Sequence, residues 1–175
     1  GEGAFFEQGA HAAVGLGHTR LAVIDLTERA AQPMRSEDGR FVITYNGEVY
    51  NFAEIRDTLR NSGVAFASDS DTEVILKSYL IWGEQAVTRF VGMFVFAIYD
   101  REKQTLFLAR DRAGVKPLYY TQQDKFFAFA SELKTICEYP EFQRRVSKEA
   151  LAGYFKRGYV SGTQSIYADI FRLSP

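Results

Sequence analysis

Four stretches of the chain and one thiol carry the residue types that could do chemistry. GHTRLAVID holds Arg20, TYNGEVYN holds Asn46, Gly47 and Glu48, SDSDTEVIL holds Asp71, and ARDRAGVKPLYY runs from Ala109 to Tyr120. Cys137 is the one cysteine. A guanidinium fork binds planar anions, a carboxylate binds cations, an amide donates hydrogen bonds, and a thiol can act as a nucleophile. Each also has a plain structural reading. Arg20 stands at the start of a strand, where an exposed cation is commonplace, and Asn46-Gly47 between two apolar runs is a strong hairpin signal that favours a type I′ turn. Asp71 falls at the first helical position after Ser70, where the helix dipole favours a carboxylate. Asp111 and Gly114 fit a bend between strands with Pro117 fixing its exit, and Cys137, in the apolar run ELKTIC, fits a buried small hydrophobe.

The elements that must position these residues follow from periodicity. Ala13 to Gly17, Leu21 to Ile24 and Phe41 to Tyr45 have the length and content of strands. Asn51 reads as an N-cap with Glu54 three residues on, and Phe52, Ile55 and Leu59 follow at helical spacing until Gly63. Ser70 and Glu73 repeat the pattern ahead of Val74, Ile75, Leu76, Tyr79 and Leu80. A short helix is expected from Glu84 to Phe90. MFVFAIYD, TLFLARD, PLYYTQ and FFAFAS then read as strands, and helices are expected from Glu132 to Cys137 and from Ser147 to Lys156, with Pro140 breaking between them. Strands and helices in blocks imply an α+β fold with antiparallel sheets. MFVFAIYD is apolar on both faces and must be covered on both, which points to sheet-on-sheet packing with helices outside.

Composition narrows the class. The 175 residues suit one compact domain, and 46% hydrophobic with 25% charged residues is ordinary globular content. With a net charge of -1 and its 21 Lys and Arg scattered, the chain offers no basic stripe for a phosphate backbone, so nucleic acid is not an expected partner. One cysteine cannot form an internal disulfide framework, and no Cys/His cluster has the spacing of a metal site. No apolar run reaches the roughly 18 residues of a membrane span, so a cytoplasmic protein is expected.

GHTRLAVIDLT, YNGEVYNFAEIR, SDTEVIL, GMFVFAIYD and RDRAGVKPLYY together resemble the class II glutamine amidotransferases, specifically the glutaminase domain of asparagine synthetase-type enzymes. The resemblance runs nearly end to end. It implies an N-terminal-nucleophile fold, an αββα four-layer sandwich with antiparallel sheets, and release of glutamate and ammonia from L-glutamine through a thioester. It also implies residue roles. The Asn46 side-chain amide and the Gly47 N–H would form the oxyanion hole, Arg20 would clasp the glutamine α-carboxylate, and Asp71 with Glu48 would hold the α-ammonium.

The departure from the family is at the front. Relatives begin, after Met removal, with a catalytic cysteine whose own α-amino group is the base, whereas residue 1 here is Gly1. Residues 1–175 are therefore expected to be a single glutaminase domain truncated at its N-terminus, with residues from about 160 to 175 starting the connection to an ATP-dependent synthetase domain. No cofactor is expected in this domain, and ATP and Mg belong to the synthetase part of the parent. The partners implied are L-glutamine and that C-terminal synthetase domain, and the resemblance leaves room for a homodimer. An alternative is a non-catalytic scaffold that docks on a synthetase domain, as in relatives of β-lactam synthetase.

Overall fold

The computed structural model describes residues 2–9, 12–19 and 27–175, and it falls into two compact units, Gly1–Ala109 and Arg110–Pro175. In the first, Glu2–Gln8 (β1) and Ala13–Thr19 (β2) form an antiparallel two-stranded sheet in which Phe5 lies opposite Leu16. Both of those side chains are buried. The EGAFFEQ segment has no period-2 alternation of its own, and β1 pairs with β2 residue for residue, from Glu2 with Thr19 to Gln8 with Ala13. The expected strand from Leu21 to Ile24 lies outside the described residues.

Met34–Arg35 (β3), Phe41–Val49 (β4), Gly92–Asp100 (β5) and Thr105–Arg110 (β6) form a four-stranded sheet in that order. β4 and β5 pair antiparallel over nine residues, from Phe41 with Asp100 to Val49 with Gly92. Ile43, Tyr45, Val49, Phe94, Phe96 and Ile98 turn one face of the sheet toward Phe52–Asn61 (α1) and Asp71–Trp82 (α2), where they pack with Ile55, Leu59, Val74 and Ile75. Each such side chain contributes roughly 1.5–3 kcal/mol of burial free energy. Alternation sends Thr44 to the other face, where its hydroxyl donates to the carbonyl of Gly17 in β2 at 3.4 Å. Phe5 meets Tyr99 on that same side, and Glu7 and Arg101 form a two-point ion pair at 2.9 and 3.0 Å. The two-faced apolar character of MFVFAIYD thus has its counterpart in a strand buried from Phe94 to Asp100.

The helix ends differ from expectation. Asn51 makes no side-chain cap on α1. Its amide instead donates to the carbonyl of Arg89 at 3.0 Å and accepts from the N–H of Val91 at 2.9 Å, tying the exit of β4 to the entrance of β5. The segment expected as a helix from Glu84 is a 3-10 helix over Gly83–Arg89.

In the second unit, Tyr119–Gln123 (β7) pairs with Phe126–Ala130 (β8) and with Phe171–Arg172 (β9), accompanied by Leu133–Cys137 (α3) and Lys148–Arg157 (α4). Ser147 caps α4, its hydroxyl accepting from the N–H of Ala150 at 3.1 Å. Cys137 packs with Ile136, Phe142 and Ile170 in a separate apolar cluster. The RDRAGVKP turn is built as its residues suggest. The buried Asp111 carboxylate accepts from the N–H groups of Val115 and Lys116 at 2.8 and 3.0 Å, and Gly114 takes the positive φ of 62° that the turn requires.

Candidate active site

Asn46-Gly47 lies in the middle of β4 and not in a turn, which overturns the hairpin reading. The reason is long-range: Asn46 pairs with Val95 and Gly47 with Phe94, inside a continuous ladder that a local turn cannot match. Glycine is required here. Gly47 has φ of 149°, and a Cβ built on it would stand 2.2 Å from the carbonyl oxygen of Met93 and 2.6 Å from the Cα of Phe94.

The direction of the Gly47 N–H follows from its neighbours. In an antiparallel ladder, N–H groups at i and i+2 point to the same edge. The Tyr45 N–H donates to Oε1 of Gln32 at 2.6 Å, and the Val49 N–H donates to Oδ2 of Asp71 at 3.3 Å. Tyr50, of opposite parity, donates to the carbonyl of Val91 on the β5 side. The Gly47 N–H therefore points away from β5, between those of Tyr45 and Val49, along the edge of β4 past the end of β3, whose pairing stops at Ile43.

Asp71 docks on that edge. The residue is 6% exposed, and Oδ2 accepts from the Tyr45 hydroxyl at 2.6 Å as well as from the Val49 N–H. Burial raises the Asp71 pKa above the ordinary carboxylate range, against the opposing effect of the Tyr45 hydroxyl and of backbone N–H groups at Val49 and the start of α2. Burial and the neighbouring Asp71 push the Tyr45 hydroxyl well above the normal phenol value, so it remains a donor. A carboxylate this buried must be hydrogen-bonded, and β4 supplies the bonds.

The loop before Asp71 is held from both sides. Ser70 caps α2, its hydroxyl accepting from the Glu73 N–H at 3.3 Å. Glu73 does not return to Ser70 as a capping box would. Its carboxylate reaches further back, accepting from the N–H groups of Ala67 and Ser68 and from the Ser68 hydroxyl at 2.9, 2.7 and 2.6 Å. Burial opposes that charge, yet these donors and Lys77 outweigh it and lower the Glu73 pKa. On the other side Arg56, lying between the rings of Phe52 and Phe66, donates to Asp69 at 2.8 Å and to the Ser70 carbonyl at 3.0 Å.

Of the residues singled out in the sequence, Asn46, Gly47 and Glu48 run along β4, and Asp71 joins them through Tyr45 and Val49. The side chains of Asn46 and Glu48 alternate onto the face that Thr44 presents to β2, opposite Tyr45. Asn46 is half-buried and Glu48 exposed. Arg20 lies outside the described residues. Tyr45 and Gln32 were not singled out as functional, although Tyr45 stands inside the TYNGEVYN motif and adjacency to Asn46 was a signal. Nothing local marks Gln32. Among the described residues no group of three or more His, Cys, Asp or Glu could hold a metal ion, and no helix is long and apolar enough to cross a membrane.

A family model described as a glutamine amidotransferase domain matches residues 1–175, and the chain belongs to that family. Asparagine synthetase [glutamine-hydrolyzing] 3 of Bacillus subtilis (strain 168) is 44% identical over 144 residues, covering 81% of this chain and 23% of that protein. Asparagine synthetase [glutamine-hydrolyzing] 1 of the same strain is 38% identical over 162 residues, covering 93% of this chain and 25% of that protein. The chain thus spans about a quarter of the length of these curated relatives. Among solved structures, the glutamine phosphoribosylpyrophosphate amidotransferase of B. subtilis, complexed with ADP and GMP, superposes with a TM-score of 0.60 at 24% identity, over 70% of this chain and 28% of that one. The fold is that of the N-terminal-nucleophile amidotransferases, α+β with antiparallel sheets.

Proposed function

We propose that this chain is the glutamine-binding part of a glutaminase that delivers ammonia to an ATP-dependent, asparagine-forming synthetase domain of the same parent protein. The observation that carries the reading is the edge of β4, where the Gly47 N–H direction and the buried Asp71 carboxylate meet beside Asn46. A carboxylate held against the cost of burial is characteristic of a site that needs the charge. Here the need is the α-ammonium of glutamine, with Glu48 as the second carboxylate and Arg20 as the partner of the α-carboxylate.

In this reading the amide carbonyl of glutamine lies against the Asn46 amide and the Gly47 N–H. A thiolate adds to that carbon, the oxygen takes the negative charge, and the two donors stabilise it. The leaving nitrogen takes up the proton that the nucleophile's own α-amino group removed from the thiol and departs as ammonia while the carbonyl re-forms in a thioester, and water then releases glutamate and restores the thiol. Two preorganised donors of this kind contribute roughly 3–4 kcal/mol each to lowering the barrier. Cys137 does not suit the nucleophile's role, since it is buried in α3, so the reading assigns the thiol to an N-terminal cysteine of the parent. ATP and Mg are assigned to the synthetase part.

The test is Asn46→Ala in the full-length protein. Glutaminase kcat should fall about 100-fold or more with KM for glutamine changed much less, because the oxyanion exists only in the transition state. A change confined to KM would make Asn46 a binding or structural residue. A full-length wild-type protein with no glutaminase activity would favour a non-catalytic docking domain.

A further inference from the structure

Tyr45 is a buried titratable group that the reaction above leaves unused, and its place is unusual in joining both halves of the candidate site. Through the chain it is the residue before Asn46. Through its hydroxyl it reaches Asp71, which lies 26 positions away, at 2.6 Å. Its backbone N–H is taken by Gln32 Oε1, and Gln32 in turn donates from Nε2 to the Thr72 hydroxyl at 3.3 Å, one residue beyond Asp71. Tyr45 is thus linked to the first turn of α2 by two routes. A tyrosine that served only to fill the core would have no reason to spend its hydroxyl on a carboxylate, and phenylalanine would pack the same volume.

We propose that Tyr45 is a positioning residue for glutamine binding, its hydroxyl holding the Asp71 carboxylate in place and in its anionic form at the edge of β4. The proposal rests on the assignment of Asp71 to the α-ammonium. Without the Tyr45 donor, the Asp71 carboxylate keeps only backbone N–H donors, those of Val49 and the start of α2, and a carboxylate so buried takes up a proton more readily. A protonated Asp71 holds an ammonium poorly, so the loss grows as pH falls. The other charged groups near this carboxylate leave that role to Tyr45. On β4, Glu48 brings a second carboxyl group and no cation. From α1, Arg56 is committed to Asp69 and the Ser70 carbonyl, and on α2 Glu73 and Lys77 bond to each other and to the loop before Ser70.

Tyr45→Phe keeps the ring and removes only the hydroxyl. Glutaminase kcat and KM for L-glutamine are measured on the full-length protein across about pH 5 to about pH 8, for wild type, Tyr45→Phe, Asp71→Asn and the double variant. Tyr45→Phe should raise KM about 10-fold near neutral pH, with kcat changed less than about 3-fold, and the rise should steepen toward acid pH. In the Asp71→Asn background, which does not titrate, the same substitution should change KM less than about 2-fold and its pH dependence should vanish. If Asp71→Asn raises KM but the Tyr45→Phe effect is undiminished beside it, the Tyr45 inference falls and the Asp71 assignment stands. If Asp71→Asn leaves KM unchanged, both fall.

Discussion

Gly47 and Met93 approach so closely across the β4–β5 ladder that a methyl group on Gly47 would stand 2.2 Å from the Met93 carbonyl oxygen. The backbone of β4 is therefore both pressed against β5 and held at a φ of 149° that only glycine adopts without strain.

Gly47→Ala is accordingly expected to lower unfolding free energy by roughly 2–4 kcal/mol, combining overpacking with backbone strain. Urea unfolding of the full-length protein reads this directly. A loss under about 0.5 kcal/mol, the range of an inert surface change, would mean that the strands can separate at this point without cost.

Asp71 makes a pH-dependent contribution of definite sign. Its folded-state pKa is raised above the unfolded value of about 3.9. Its contribution to stability is therefore fully present below that value and is lost as pH rises through the raised folded pKa. Asp71→Asn retains an acceptor for the Tyr45 hydroxyl and the Val49 N–H and does not ionise. Its stability relative to wild type should thus improve as pH rises from below the ordinary carboxylate range to neutrality, while glutamine binding is lost. Urea midpoints compared at acid and neutral pH test the sign, and a relative stability that falls with rising pH contradicts it.

A polypeptide of only these 175 residues is expected to release no ammonia from glutamine above the uncatalysed background, and Cys137→Ala should leave that result unchanged. Cys137 is 7% exposed within its own apolar cluster, and it has no α-amino group to serve as base. Turnover by this polypeptide that Cys137→Ala abolishes would reassign the nucleophile.

What could be read in the sequence was what neighbouring residues decide among themselves. The segregation of strands from helices, the Ser70 cap, the bend at Asp111 and Gly114, and the need to cover MFVFAIYD on both faces all depend on periodicity or turn chemistry within a few residues. The family resemblance added the expectation that Arg20, Asn46, Gly47, Glu48 and Asp71 form a ligand set. Choices between distant partners were not legible. Asn46-Gly47 is as good a hairpin as it is a strand centre until β5, almost fifty positions on, pairs with it. Asn51 is a plausible cap until Val91, 40 residues away, takes its amide oxygen. Asp71 suits an exposed helix N-terminus until Tyr45 and Val49 bury it. Local patterns encode which conformations are cheap, whereas only the folded chain, by burying polar groups that must then find donors and acceptors, selects which of them meet.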